Sequence, residues 1–374
     1  MIIHRWTDID PRCNKIIKFL LEEKFQVIFI GIKTKEALID EELYKKYATQ
    51  YTRILYRQNS NSRLNVVINI LPFYFFLIKN IIKFRPEFLH CVNEEIGLIT
   101  YIFKSKFFKF MILDIFDSLY LRVKIKNKAI KRLLYFFVNL VYSNANEIIV
   151  TDDKRKELIN EKYKNKVSVI YNSPDMKPFN NIYLKENKVF KICVMGSIAR
   201  SKGILQLLEA IKDLENVEII AFGNLFDVVA RKQFFNSPKV KYLGSFNNMK
   251  SMQLAAKTDV IYAFYEPNSV NNIYASPNKL FEAMCIGKPI LINSEVKMSN
   301  IVENYKIGRT CSYYDVNALR GIIIQLTKLK ESEKKQIAKT AQSLFLNNYS
   351  WEKSKIVLKK IYNKERKNNE YNFN

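Results

Sequence analysis

The sequence predicts an α/β protein of two tandem domains, each built on a parallel sheet, and three observations carry that expectation. The chain has 374 residues, more than one ordinary domain of about 100–200 residues holds. Short apolar runs alternate with helical patterns along its length, as buried parallel strands and their crossover helices do. Seven of the nine glycines (Gly196, Gly203, Gly223, Gly244, Gly287, Gly308 and Gly321) fall in the second half, several directly after a strand-like run.

In the first half the strand-like runs are Val27–Ile30, Phe88–Cys91, Phe110–Ile115, Ile148–Val150 and Val167–Ile170. A helix is expected over Lys15–Glu23, and two more over Val66–Phe84 and Lys128–Tyr142. The last two mix basic and aromatic residues at helical spacing: Phe73, Phe75 and Phe76 with Lys79 and Lys83, then Lys131, Arg132, Leu133, Tyr135 and Phe136. Such faces suit either burial against a sheet or an anionic membrane interface.

A polar connector, Pro174–Asn187, separates this series from a second one: Phe190–Met195, Val217–Phe222, Val240–Leu243, Val260–Phe264 and Pro289–Ile292. The expected organisation is therefore a domain over residues 1–175, a second over 176–348, and a C-terminal segment over 349–374. In that segment the helix Trp351–Tyr362 packs back toward the first domain and Lys364–Asn374 forms a frayed basic tail.

Composition narrows the function classes. Hydrophobic residues make up 48% of the chain, with 26 Phe and 22 Tyr, which excludes a disordered polypeptide. Lys and Arg number 61 against 36 Asp and Glu, a formal charge of +25, so the expected partners are anionic: phosphorylated substrates, lipid headgroups or nucleic acid. No nucleic-acid motif accompanies the charge, and nucleic acid is not expected as a partner. The cysteines, Cys13, Cys91, Cys193, Cys285 and Cys311, form no C-x-x-C pair, and His4 and His90 complete the histidines. No metal site is expected, and buried reduced thiols fit a cytosolic protein. Neither a signal peptide nor an apolar run long enough to span a bilayer is read from the chain.

Two segments carry chemistry. In Lys191–Gly203 a strand ends at Gly196, and a loop with Ser197, Arg200 and Lys202 leads into an amphipathic helix over Ile204–Leu214. Backbone N–H groups and the Lys202 ammonium there suit a diphosphate. In Tyr274–Pro289, Ser276 reads as a helix N-cap and Pro277 as the first helical residue. Asn278, Lys279 and Leu280 follow, then Glu282 one turn along among apolar neighbours, where a carboxylate accepts from a ribose diol. Gly287 ends this helix. Gly223 closes the next strand, and Asp114 and Asp117 follow a strand of the first domain in Leu113–Ser118.

These segments resemble those of the family 4 retaining glycosyltransferases of GT-B fold, enzymes of bacterial surface polysaccharide, lipopolysaccharide and capsule assembly. The resemblance extends to Asp10-Pro11-Arg12, Phe84–His90, Val167–Pro174, Val240–Gly244 and Ala256–Val260. It implies two Rossmann-like domains with parallel sheets facing a central cleft. It further implies transfer of a sugar from a nucleotide-diphosphate donor to a polysaccharide or lipid-linked acceptor, with no cofactor and no metal.

Residue by residue, the resemblance implies that Lys202 neutralises the diphosphate beside the Gly196 loop and that Phe246 lies near the base. Glu282 holds the ribose, and amides over Pro277–Lys279 contact phosphate or sugar. Asp117, by its place after a strand of the first domain rather than by the resemblance, is the candidate for positioning the acceptor or the sugar, with a helix cap as the alternative reading. Asp117, Glu282 and Lys202 are thus the candidate catalytic residues, with Gly196, Ser197, Arg200, Gly223, Phe246, Ser276, Pro277, Asn278, Lys279 and Leu280 as further donor contacts.

The sequence departs from the family pattern at Tyr274, where the first Glu of an E-x7-E pair is usual, at Ser197 in place of an Arg, and at Phe116 in place of a His. A subset of the family carries a similar S-P-x-K-L-x-E form. The location implied is cytoplasmic and peripheral on the inner face of the cell membrane. A nucleotide-sugar epimerase of similar fold and a basic polyanion-binding protein are the alternative readings.

Overall fold

A computed structural model describes residues 1–3, 10–33, 46–57, 70–100, 106–122, 127–179, 189–225 and 227–371. Residues 66–69 of the expected first-domain helix, 180–187 of the connector and 372–374 of the tail lie outside them. The chain divides into two compact units, Met1–Ile170 with Ser354–Asn374, and Tyr171–Lys353.

The sheet of the first unit orders its described strands β3-β2-β1-β4-β5-β6-β7. These are β1 (Ile2–Ile3), β2 (Val27–Lys33), β3 (Tyr51–Arg57), β4 (Phe88–Val92), β5 (Phe110–Ile115), β6 (Glu147–Val150) and β7 (Val167–Val169). Every pairing is parallel. β4 and β5 are buried along their full length, which explains why they are apolar except at His90 and Asp114, which pair with each other.

In the second unit β8 (Phe190–Ile198), β9 (Val217–Leu225), β10 (Val240–Tyr242), β11 (Val260–Ala263), β12 (Ile290–Asn293) and β13 (Gly308–Cys311) form a parallel sheet ordered β10-β9-β8-β11-β12-β13. Gly196 of β8 faces Gly223 of β9. A Cβ on Gly223, whose φ is +124°, would lie 2.1 Å from the Gly196 carbonyl oxygen. Only glycine fits that position.

Three strands differ from the sequence reading. β1 has two residues, β3 carries Arg53 and Arg57 on a sheet edge, and β13 carries Gly308 and Arg309 on the other sheet's edge. None of the three is a continuous apolar run. The first helix spans Pro11–Glu22 rather than starting at Lys15, because the Asp10 side chain accepts from Arg12 N and Cys13 N and Pro11 opens the first turn. The helix expected to start at Pro277 spans Asn278–Ile286, with Pro277 at the N-cap in extended backbone. Ser276 therefore stands outside the cap, one residue before it.

The helix Lys128–Asn144 is capped by Asn127 and buries Val138, Val141, Tyr142 and Asn144. Its first half is exposed: Leu133 is 54% and Phe136 56% accessible, with Ile130 and Phe137 exposed beside them. At about 100° per residue, Leu133 and Phe136 lie well round the helix from the Val138, Val141 and Tyr142 face, whereas Ile130 lies near the angle of Val141 and is exposed three turns earlier along the axis. The helix Ile70–Phe84 buries Phe73, Leu77 and Ile81 in the same core cluster and exposes Leu71, Phe75 and Ile82. No described helix is long and apolar enough to cross a membrane.

Candidate active site

In an open parallel sheet, ligands bind beyond the carboxyl ends of the strands, where the strand order reverses. In the second unit the order runs outward from β8 to β9 and β10, then returns to β11, β12 and β13. The reversal lies between β8 and β11, so the residues after these strands are the first place to look.

After β8 come Ala199, the short 3-10 turn Arg200–Lys202 and Gly203, which takes φ +67°. That turn lifts Lys202 so that its Nζ sits 3.7 Å from the centroid of the Tyr265 ring, a cation–π distance. Tyr265 follows β11. Arg200 turns away: its Nε donates to Asp227 Oδ2 at 2.6 Å, and its side chain is 58% exposed. Gly196 itself is exposed, and a Cβ built on it would lie 3.6 Å from Lys279 Nζ. Gly196 does not end β8, which runs two residues further to Ile198, yet it and Lys279 on the helix Asn278–Ile286 share one small region, although 83 residues separate them (279 − 196). Ser197 lies beside Gly196, half-buried, where β8 pairs with Asn224 of β9.

The helix Asn278–Ile286 presents Lys279 and Glu282 from its partly exposed side, while Leu280, Phe281, Ala283 and Met284 go to the core. Glu282 Oε1 accepts from Asn248 Nδ2 at 3.3 Å. Burial pushes the Cys193 thiol on β8 well up; the hydrogen bond with Thr258 and the Lys279 charge pull it back, and the Glu282 charge pushes it further. Leu280 corrects the sequence reading: it is fully buried and its N–H donates to the Pro277 carbonyl at 2.9 Å. It contributes packing and no group for a ligand.

Phe246, exposed, packs edge-on against buried Phe222 with centroids 6.4 Å apart. Nearby, Gly223 N donates to Gly244 O at 2.8 Å and Gly223 O accepts from Tyr242 Oη at 2.7 Å. Gly223 therefore fixes backbone and has both groups engaged. Tyr274, in place of the usual Glu, ends the short helix Val270–Ile273.

In the first unit the loop after β5 is held by Asn93, which takes φ +63° so that its Oδ1 accepts from Phe116 N at 2.8 Å and Asp117 N at 3.2 Å. Asp117 is half-exposed and accepts from Arg155 Nη2 at 3.2 Å. Arg155 Nη1 also donates to the Phe116 carbonyl. Behind this loop, Asp114 is fully buried and accepts from Arg12 Nε at 3.1 Å and Arg12 Nη2 at 2.9 Å. His90 Nε2 lies 3.4 Å from Asp114, and His90 Nδ1 pairs with Tyr362 Oη at 2.9 Å. Burial alone would raise the Asp114 carboxyl, but the Arg12 charge and the His90 hydrogen bond outweigh it and hold it below the ordinary carboxylate value. Glu94 does the reverse: burial raises it above its ordinary value although Ser118 Oγ, Leu119 N and Tyr142 Oη all donate to it.

Sequence reasoning missed Tyr265, Asn248 and Asn293 in the second unit and the Arg12–His90–Asp114 cluster in the first. The strand-end placement of Tyr265 and Asn293 was the available signal for those two. No group of three metal-ligating side chains occurs among the described residues.

Residues 175–343, which lie within the second unit, match the family model described as glycosyl transferases group 1. A curated relative, the uncharacterized glycosyltransferase MJ1178 of Methanocaldococcus jannaschii, is 25% identical over 250 residues, which are 66% of this chain and 65% of that protein. The structure is similar to sucrose-phosphate synthase from Thermosynechococcus elongatus, with a TM-score of 0.77 at 14% identity over 96% of this chain and 97% of that one. It is also similar to Anabaena Alr3699/HepE, solved in complex with UDP and glucose, with a TM-score of 0.69 at 14% identity over 97% of this chain and 98% of that one. The fold is that of the GT-B glycosyltransferases, two Rossmann-like domains with parallel sheets, as the sequence leads one to expect.

Proposed function

We propose that the chain is a glycosyltransferase that moves a sugar from a nucleotide-diphosphate donor to a polysaccharide or lipid-linked acceptor, with retention of configuration and without a metal. The observation that carries this reading is the approach of Lys279 to Gly196, its Nζ 3.6 Å from where a Cβ on that glycine would lie, with Lys202, a few residues after Gly196, over the Tyr265 ring. Two ammonium groups and the free N–H groups at the start of the helix Asn278–Ile286 suit the charge that grows on a leaving diphosphate. Glu282, half-buried and already accepting one amide hydrogen bond, is placed to hold a ribose diol. Phe246 offers an exposed ring for the base, and Asp117 with Arg155 orients the acceptor. The complex of Alr3699/HepE with UDP and glucose lends support for a nucleotide-sugar donor.

Thermal unfolding with UDP-, GDP-, ADP- and CMP-sugars tests the reading. One nucleotide class is expected to raise Tm, and Glu282→Ala is expected to remove that rise. Release of an isomerised sugar nucleotide without transfer would instead establish an epimerase. Absence of any shift, with salt-sensitive binding to nucleic acid, would establish a polyanion-binding protein.

The partner surface in this reading is an anionic membrane. Exposed Ile130, Leu133, Phe136 and Phe137 lie beside exposed Lys128, Lys131 and Arg132 on one helix, and Leu71, Phe75 and Ile82 beside Lys79 and Lys83 on another. Apolar stripes flanked by cations bind anionic interfaces. Lys131→Glu with Arg132→Glu is expected to lower co-sedimentation with phosphatidylglycerol-containing vesicles about tenfold or more, leaving the weak association with phosphatidylcholine vesicles unchanged. Equal loss from both vesicle types would remove the charge argument.

A further inference from the structure

We propose that Asn293 is a positioning residue for the donor diphosphate, acting through Tyr265 to hold the Lys202 ammonium in place. The inference rests on the donor reading above for Lys202 and extends it to a residue in the core of the sheet.

Asn293 ends β12 and is fully buried. Its amide grips the Tyr265 peptide from both sides: Oδ1 accepts from Tyr265 N at 2.7 Å and Nδ2 donates to Tyr265 O at 3.0 Å. The second Nδ2 proton goes to Glu295 Oε2 at 2.8 Å. Only an amide side chain supplies an acceptor and two donors at this spacing; an aspartate lacks the donors and a leucine lacks both.

The loop that bears Lys202 is pinned through its carbonyls. Arg200 O accepts from Tyr313 Oη at 2.9 Å, Ser201 O from Glu266 N at 2.9 Å, and Gly203 O from Tyr262 Oη at 2.7 Å. Glu266 directly follows Tyr265, so the grip of Asn293 fixes both the peptide that holds Ser201 and the ring under Lys202. With the backbone pinned, the flexible Lys202 side chain is the part that needs steering. The Tyr265 face, 3.7 Å from Nζ, supplies that direction while leaving ammonium protons able to reach an anion.

Glu295 braces the arrangement. It accepts from Ser312 Oγ at 2.7 Å and from Tyr313 N at 3.2 Å, so the same carboxylate ties Asn293 to the residue that holds Arg200. Burial raises the Glu295 carboxyl, and the hydrogen bonds from Asn293 and Ser312 outweigh it.

The test is a double-substitution cycle on the full chain, read as the affinity for UDP, GDP and ADP by titration calorimetry. Asn293→Ala and Tyr265→Leu are each expected to weaken the preferred diphosphate about tenfold, and Tyr265→Phe to bind as the unaltered chain does. In a Lys202→Ala background neither is expected to weaken it further by more than about twofold. Tyr265→Leu leaves the backbone grip intact, so it reports even where Asn293→Ala fails to fold. If Tyr265→Leu binds normally while Lys202→Ala does not, or if the losses add, the positioning role is overturned and the donor reading stands. If Lys202→Ala binds all three diphosphates as the unaltered chain does, the donor reading falls and this inference with it.

Discussion

Replacement of Lys279 by alanine is expected to lower kcat/KM for sugar transfer by about 100-fold, the scale of losing one group aimed at charge that develops in a transition state. Lys279 holds its ammonium beside Gly196, near the end of β8, where no side chain of the glycine intervenes. Because a diphosphate carries more charge as it leaves than while bonded to the sugar, the loss should fall mainly on kcat and less on KM. Steady-state kinetics with the donor class found by thermal unfolding checks this. Lys279→Arg, whose broader guanidinium does not reproduce a compact ammonium, is expected to recover only part of the rate. A Lys279→Ala enzyme with unchanged kcat/KM would place the leaving group elsewhere.

Arg12→Ala is expected to destabilise the first unit by about 3–5 kcal/mol, the cost of stranding a buried charge. Asp114 is fully buried and Arg12 almost so, and after the substitution the carboxylate keeps, among the described side chains, His90 at 3.4 Å. Arg12 Nη1 also donates to the Ile170 carbonyl at 2.6 Å, so a backbone acceptor loses its donor as well. Urea unfolding with amide exchange along β4 and β5 reads the loss. The pH dependence has a definite sign. The folded Asp114 carboxyl lies below its unfolded value. Its contribution is therefore complete above the ordinary carboxylate value of about 4 and is lost as pH falls through the lower, folded value. Arg12→Ala should flatten that acid limb. An unaltered urea midpoint at neutral pH would mean that the pair contributes nothing net.

Strands whose residues are apolar without interruption were legible in the sequence, because burial on both faces demands it. β11 is an example, and β4 and β5 come close, interrupted only by His90 and Asp114. β1 was not, since two residues carry no periodicity, and β3 and β13 were not, since edge strands tolerate arginine and glycine. The lysines and Glu282 were legible because loop glycines, a helix start and a charged residue among apolar ones are local signals. Asn293 and Tyr265 were not. An asparagine after Pro-Ile-Leu-Ile reads as the polar end of a strand, and nothing local says that its amide grips a peptide 28 residues earlier. Arg12, His90 and Asp114 share that obscurity, since they meet only when β4, β5 and the first helix assemble.

The first unit is discontinuous, and this bears on the order in which its contacts become available. Its sheet is complete in sequence by Ile170, but Ser354–Asn374 also belong to it. Tyr362 packs on Phe25 and Phe88 with ring centroids 5.5 and 5.1 Å away and closes the hydrogen bond to His90. During synthesis at roughly 5–20 residues per second, the whole second unit emerges before Tyr362 does. Until then the nascent first unit leaves Phe25 and Phe88 without the Tyr362 ring and His90 Nδ1 without the Tyr362 hydroxyl. The second unit, continuous from Tyr171 to Lys353, carries no such debt. The later-made half of this protein is therefore the one able to finish folding first.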